Sequence, residues 1–185
     1  MCIRDSRAGD RALADARPAP DPFGGTVLPA APPLERVRAV AGRCRAFETH
    51  PFPRCFVCGP ERADGLRIFP GPVAGSDAVA AVWEPLDSDA DGHVPIELLF
   101  AALDCPSAFP LLEAPESKRF EPLVLGRLAG AVRAPLAAGA PCIVVAWPLG
   151  PPGRRAEAGA AVYSASGACC AVGRATWVSF AGRSA

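Results

Sequence analysis

The chain has 185 residues, half of them hydrophobic, which is enough apolar side chain for one packed domain of ordinary size. Its 19 basic and 19 acidic residues cancel, which argues against a nucleic-acid-binding protein and against a polybasic membrane patch. No apolar run of about 18 residues occurs, so no transmembrane helix is predicted, and the 18 glycines and 22 prolines favour short strands and turns over a helical bundle.

Residues 1–50 are predicted to form an extension ahead of the folded domain. We interpret residues 1–6, MCIRDS, as translated adapter sequence, and charges interrupt the following residues, so no apolar signal segment is predicted. We therefore expect a cytoplasmic protein whose eight cysteines are reduced. Six prolines over residues 18–33 predict a linker, and the apolar spacing over residues 33–44 predicts a short amphipathic helix.

The folded domain is predicted to span residues 51–181 and to be of the α+β class. Two short strands, residues 65–70 and 78–83, precede an acidic loop over residues 87–92. A helix follows over residues 95–105, and it is apolar on nearly every face, which predicts that it is buried. Four extended segments with short turns complete the domain: residues 123–136, 141–149, 154–164 and 168–180. This order predicts an antiparallel meander and a sheet wrapped around one central helix.

Asp104 is the most informative polar residue, because it lies inside the apolar helix. A carboxylate there costs free energy unless it is paired or takes part in a reaction. Alternatively, Asp104 ends the helix near Pro106 and bonds neighbouring amides or an arginine. Glu97 lies seven residues earlier on the same face, so one interpretation places both carboxylates in one cleft. The other interpretation of Glu97 is a solvated acid in the first turn, where it favours the helix dipole.

Cys55 and Cys58 form a C-x-x-C pair, which is half of a zinc-binding pattern. No second C-x-x-C or H-x-x-x-H completes it, and His50 and His93 are the only histidines. We therefore predict a structural turn at this pair, no metal site and no cofactor. Cys105 is not expected to act as a nucleophile, because nothing in the sequence places a base beside it.

Four segments of the chain carry a family resemblance: HPFPRCFVCGPERADGLRIFPGPV, DGHVPIELLFAALDCP, VLGRLAGAVRAPL and GRATWVSF. Together they resemble the hotdog-fold thioesterase superfamily, and most of all its actinobacterial branch related to phenylacetate-pathway and 4-hydroxybenzoyl-CoA thioesterases. The resemblance implies an antiparallel sheet around a long helix, and two hotdog units that pair to form acyl-CoA sites. The pair would be a homodimer or two halves of one chain, in which case residues 11–18 would be the last strand of a missing upstream half.

The resemblance also implies roles for residues of the central helix. The family signature is H-G-G followed by a carboxylate seven residues after the last glycine, and Asp104 occupies that carboxylate position. Asp104 would be the general base, the amides of Ile96 and Glu97 would hold the oxyanion, and His93 would contact substrate. The sequence departs from the pattern, because Pro95-Ile96-Glu97 replaces H-G-G. Ile96 narrows the approach to the amides, and Glu97 adds a negative charge near the oxyanion.

We therefore expect a thioesterase-like hotdog protein that hydrolyses an acyl-CoA or acyl-carrier thioester without a further cofactor. A non-catalytic module that binds or scaffolds acyl thioesters is the main alternative, and the replacement of H-G-G favours it. A hotdog enoyl-thioester hydratase is a further alternative, with His93 paired to a carboxylate. A zinc-ribbon interaction protein, based on Cys55 and Cys58, is the most distant one.

Overall fold

A computed structural model describes residues 5–114, 122–151 and 153–179 of the chain. The strands are β1 (Asp5–Ala8), β2 (Arg11–Asp15), β3 (Gly71–Pro72), β4 (Val79–Trp83), β5 (Leu123–Val132), β6 (Cys142–Pro148), β7 (Arg155–Tyr163) and β8 (Cys169–Ser179). The helices are α1 (Leu34–Val40), α2 (Ile96–Asp104) and α3 (Phe109–Glu113), with 3-10 turns at Arg45–Phe47 and Cys105–Ala108. None of the helices in these residues is long and apolar enough to cross a membrane.

Strands β3 to β8 form one antiparallel sheet in the order β3-β4-β6-β7-β8-β5. The α+β class predicted from the sequence is confirmed, and β6, β7 and β8 form the predicted meander. The predicted place of β5 as its first strand is wrong, because β5 pairs with β8 at the far edge of the sheet. Residues 133–141 connect β5 to β6 across the end of the sheet, where His93 and Ala137 form an isolated bridge, so no hairpin joins the two strands.

The central helix begins with α2, directly after Pro95, which is the N-cap residue with a φ of −55° and a ψ of 143° and thus lies just outside the first turn. Leu99, Ala102 and Leu103 of α2 are buried, and α2 lies against β5, β7 and β8. The predicted interruption near Pro106 is observed as the 3-10 turn at Cys105–Ala108, beyond which α3 continues the helical segment to Glu113. The helical segment therefore runs farther than residue 105, and its regular geometry is interrupted at Asp104, whose ψ is −95°.

The predicted strand over residues 65–70 is wrong. Arg67 has a φ of 54°, in the left-handed region, which is incompatible with a regular strand. The amides of Leu66 and Ile68 donate instead to the carbonyls of Phe56 and Val57, at 2.7 and 2.9 Å. This segment therefore supports the loop that carries the C-x-x-C pair, and the strand beside β4 on the side away from β6 is the two-residue β3.

The region ahead of the predicted domain packs on the sheet from Asp21 onward. Phe23 is buried, with its ring 5.5 Å from that of Trp147. The Arg133 guanidinium donates to the Asp21 carboxylate at 2.8 Å. The predicted boundary at residue 51 stays a prediction, but the packed core extends into the preceding segment.

The predicted short helix is observed as α1, which lies against β3 and β4. A Cβ added to Gly71 would lie 1.7 Å from the Val40 carbonyl oxygen, so only glycine allows the end of α1 to approach β3 this closely. The Tyr163 hydroxyl donates to the Pro29 carbonyl at 2.6 Å and fixes the proline-rich segment before α1. Earlier in the chain, β1 and β2 pair with each other and stand outside the six-stranded sheet.

Candidate functional site

An apolar cavity of about 250 Å³ lies where α2 ends. Ten of its lining residues are apolar: Ala46, Pro51, Phe52, Ala108, Phe109, Leu112, Leu123, Val124, Leu125 and Trp177. The other five carry groups able to ionise or bind a metal: His50, Cys55, Cys58, Asp104 and Cys105. A concave apolar surface with a few convergent polar groups is typical of a small-molecule site.

Asp104 is half-buried at the C-terminal end of α2, facing this cavity. Its Oδ1 atom is buried and has no hydrogen-bond partner among the described residues, and none of the ion pairs seen there includes Asp104. Burial, and next the negative charge of Cys55, raise the pKa of Asp104 to about 6. A carboxylate of this kind is chemically able to accept a proton. Among the described residues, no arginine pairs with it, so the alternative in which Asp104 bonds an arginine is not observed there.

Glu97, Ile96 and His93 lie at the opposite end of α2. They line a second cavity together with residues of the connection that follows β5. Glu97 and Ile96 are exposed, and no side-chain cap bonds the first turn of the helix. Glu97 and Asp104 are seven positions apart, which corresponds to about 10 Å along the helix axis. Within one chain, therefore, the structure does not bring the two predicted carboxylates into the same cleft.

The loop before α2 is ordered by Asp89. Its carboxylate accepts hydrogen bonds from the amides of Asp91 and His93, at 3.0 and 2.9 Å. These bonds hold the backbone of His93 in front of α2. His93 and Asp104 line different cavities at opposite ends of α2. Among the described residues, no hydrogen bond or ion pair links them as an acid–base pair.

Three cysteine sulfurs meet beside Asp104. Cys55 Sγ lies 3.4 Å from Cys105 Sγ, and the Sγ atoms of Cys55, Cys58 and Cys105 all lie within 4.8 Å of one another. His50 Nε2 lies 3.4 Å from Cys58 Sγ. The sulfurs are too far apart for disulfide bonds, and all three cysteines are free.

Hydrogen bonds within this group favour a thiolate at Cys55. Bonds from the thiols of Cys105 and Cys58, and from the backbone amides of Cys58 and Val57, hold the pKa of Cys55 well below its usual range. A thiolate at Cys55 would lie at the cavity next to Asp104, where its negative charge adds to burial in raising the pKa of Asp104.

The loop that carries Cys55 and Cys58 is tightly folded. The Gly59 amide donates to the Cys55 carbonyl at 2.9 Å. A Cβ on Gly59 would lie 2.4 Å from the Cys55 backbone nitrogen and 2.5 Å from the Pro53 carbonyl oxygen, so the loop requires glycine there. The predicted turn at the C-x-x-C pair is present, and it points both sulfurs toward α2.

The sequence analysis did not predict that Cys105 and His50 contact the Cys55–Cys58 pair. Cys105 lies 50 residues after Cys55, and no spacing rule connects them. The only available signal was that Cys105 directly follows Asp104 on the helix, so a loop that folds over Asp104 must also approach Cys105.

Two buried hydrogen bonds through Ser107 link the end of α2 to Trp177 of β8. The fully buried Ser107 donates from Oγ to the Asp104 carbonyl at 2.7 Å and accepts from Trp177 Nε1 at 2.9 Å. These bonds tie the backbone that carries the candidate base to β8.

Ser107→Ala should lower the free energy of unfolding by about 1–3 kcal/mol, because the buried Trp177 N–H would lose its acceptor. Urea denaturation measures this change, with the exposed Ser166→Ala as the matched control, which we expect to change stability by less than about 0.5 kcal/mol. Equal stability of the two variants would show that the Trp177 indole finds another partner.

We compared the chain with protein-family models, with curated proteins and with solved structures. No family model and no curated protein matches the chain. Among solved structures, a thioesterase superfamily protein matches 67% of this chain and 62% of its own, with a TM-score of 0.57 and 16% identity. Zebra fish thioesterase superfamily member 2 matches over 68% of this chain and 91% of its own, with a TM-score of 0.55 and 15% identity.

A phenylacetic acid degradation-related protein of Ralstonia eutropha matches 61% of this chain and 85% of its own, with a TM-score of 0.53 and 16% identity. The chain spans about three fifths of the length of the first of these three proteins. At such identities, structural similarity establishes a fold and leaves the activity open. The chain shares its fold with these thioesterase superfamily structures, and this is the hotdog fold that the sequence resemblance implied.

Proposed function

We propose that this protein hydrolyses an acyl thioester, with Asp104 as the general base. The observation that carries the proposal is the buried, unpaired Oδ1 of Asp104 at an apolar cavity of about 250 Å³. No described residue hydrogen-bonds to this oxygen, which leaves its acceptor capacity unused at the wall of the cavity. The apolar walls suit the acyl group, and acyl-CoA is the thioester that the fold suggests.

In the proposed reaction, Asp104 takes a proton from a water molecule as the water oxygen attacks the thioester carbonyl carbon. The carbonyl oxygen becomes an oxyanion in the tetrahedral intermediate, which collapses when the carbon–sulfur bond breaks. The departing sulfur takes up the proton held by Asp104. The products are a carboxylic acid and a free thiol, and Asp104 returns to its starting form.

The oxyanion donors would come from a second hotdog unit. The amides of Ile96 and Glu97 lie about 10 Å along the helix from Asp104 of the same chain, too far to act on one carbonyl. A helix N-terminus without a side-chain cap suits the role, because its amides and dipole favour negative charge. We therefore propose that Asp104 of one unit works with the helix N-terminus of another.

The edge of β5 is the surface proposed for this pairing. β5 is the outermost strand on its side of the described sheet. Val124, Leu125 and Val132 on this strand are 37%, 37% and 41% exposed, an unusual apolar content for an open sheet edge. A second copy or a second hotdog half placed on β5 would cover these side chains.

A non-catalytic acyl-thioester-binding module is the second candidate function, and Glu97 favours it. This exposed carboxylate lies in the first turn of α2, where its negative charge opposes an oxyanion on the neighbouring amides. Binding of a neutral thioester does not require that stabilisation.

A panel of aliphatic and aromatic acyl-CoA thioesters, assayed for release of free thiol, tests the proposal. We expect turnover of at least one member. Calorimetry on the same panel separates the two candidates, because saturable binding without thiol release would replace the enzyme with the binding module. Absence of both binding and release by the folded chain would contradict a thioester function of either kind.

A further inference from the structure

The cysteine cluster beside Asp104 has the composition and shape of a metal centre. We propose that Cys55, Cys58 and Cys105 bind one zinc ion through their sulfurs, with His50 as the fourth ligand. This proposal is independent of the proposed thioester function, because it rests on the cluster and not on the reaction. The cavity that the cluster lines gives an ion a path from solvent.

The spacing of the sulfurs fits a tetrahedral ion. Zinc–sulfur bonds of about 2.3 Å in a tetrahedron place neighbouring sulfurs about 3.8 Å apart. Cys55 Sγ and Cys105 Sγ lie 3.4 Å apart, and all three sulfurs lie within 4.8 Å of one another. The 3.4 Å pair is about 0.4 Å closer than this spacing, and no pair exceeds it by more than about 1 Å, so small rotations of the cysteine side chains bring each sulfur to its bonding distance.

Three thiolates and one imidazole are an established zinc ligand set. His50 adjoins the cluster but is not among the ligand atoms that all lie within 4.8 Å of one another, so its ring must shift to complete the set. Its Nε2 lies 3.4 Å from Cys58 Sγ, and its ring packs against Phe47 and Phe109 at 5.5 and 6.3 Å. His50 is a better fourth ligand than Asp104 on charge. Zinc with three thiolates and a neutral imidazole carries a net charge of about −1. With the Asp104 carboxylate as the fourth ligand the net charge would be about −2, which costs more free energy in apolar surroundings.

Binding has a defined proton balance. The three cysteines lose the protons that remain on their sulfurs, which are released to solvent. In the metal-free chain, His50 Nδ1 accepts a hydrogen bond from the Phe52 amide at 3.1 Å, so Nε2 carries the ring proton. Coordination through Nε2 moves that proton to Nδ1, and the Phe52 amide loses this acceptor.

The ion would fasten the loop of residues 50–59 to the end of α2. That loop has no helix or strand of its own, and Cys105 belongs to the central helical segment. A metal bond between them would hold one wall of the apolar cavity in place. We therefore expect a structural ion, and no role for it in the reaction.

The test uses the full chain after reduction and removal of metal with a chelator, titrated with Zn²⁺ and with Co²⁺ as a spectroscopic substitute. We expect one zinc ion per chain, a Co²⁺ spectrum with tetrahedral d–d bands and thiolate charge-transfer bands, and a higher melting temperature of the zinc form. Zinc should also protect Cys55, Cys58 and Cys105 from alkylation, located by mass spectrometry, and leave the modification of Cys169 unchanged.

Cys55→Ser should weaken zinc binding by about a hundredfold or more and reduce the thiolate bands, whereas Cys169→Ser, a half-buried cysteine outside the cluster, should bind as the unaltered chain does. His50→Ala should keep the thiolate bands and lose affinity; unchanged affinity would remove His50 as a ligand. An octahedral Co²⁺ spectrum, the absence of stoichiometric zinc, or a Cys55–Cys105 disulfide that persists in place of metal uptake would overturn the site. The alkylation result needs no variant, so a variant that fails to fold leaves the test intact.

Discussion

Asp104→Asn should lower kcat for thioester hydrolysis by about a hundredfold to ten-thousandfold, the range that general-base catalysis contributes. Asparagine has nearly the same shape, but its amide cannot take a proton from water. The fold should be unaffected, because the carboxylate makes no ion pair in the described structure and its Oδ1 has no partner to lose. Release of free thiol measures kcat, and circular dichroism with urea denaturation verifies the fold.

Asp87→Asn is the matched control, since Asp87 is an exposed acid in the loop before α2. We expect it to retain full activity. A variant at Asp104 with unchanged kcat would remove this residue as the base. A raised KM with an unchanged kcat would assign it to substrate binding instead.

Leu103→Ala should be the most damaging single truncation of the central helix, with a loss of about 3–4 kcal/mol in the free energy of unfolding. Leu103 is fully buried, and it packs on β8 where Gly173 leaves room for it. A Cβ on Gly173 would lie 3.2 Å from Leu103 Cβ, so the helix and sheet are in close contact here. The surrounding backbone therefore has little freedom to fill the space that alanine would leave.

Urea denaturation measures this loss as a lower midpoint with an unchanged slope. Leu86→Ala, at a leucine that is 85% exposed, is the control and should change stability by less than about 0.5 kcal/mol. A loss of less than about 1 kcal/mol in the free energy of unfolding for Leu103→Ala would contradict the close packing of α2 on β8 at this position.

Elements with local signals were predictable from the sequence. The apolar run after Pro95 predicted α2, because an apolar run and a proline at the start of a helix depend only on neighbouring residues. The meander of β6, β7 and β8 was predictable for the same reason: turn residues such as Gly167, with a φ of 83°, lie between the extended segments. The position of Asp104 near the end of the central helix followed from these local signals. The prediction that this helix is buried on nearly every face is wrong, because only Leu99, Ala102 and Leu103 of α2 are buried and Ile96 is exposed.

The sequence by itself therefore determined the α+β class, the central helix, most strands and the candidate carboxylate. Only the tertiary structure decided that β5 pairs with β8, that the chain from Asp21 onward packs on the sheet, and that Glu97 and Asp104 line separate cavities. It also decided that Cys105 meets Cys55 across 50 residues. The physical reason is the same in each case: contacts between distant segments depend on how whole elements pack, and no local pattern of residue types records that packing.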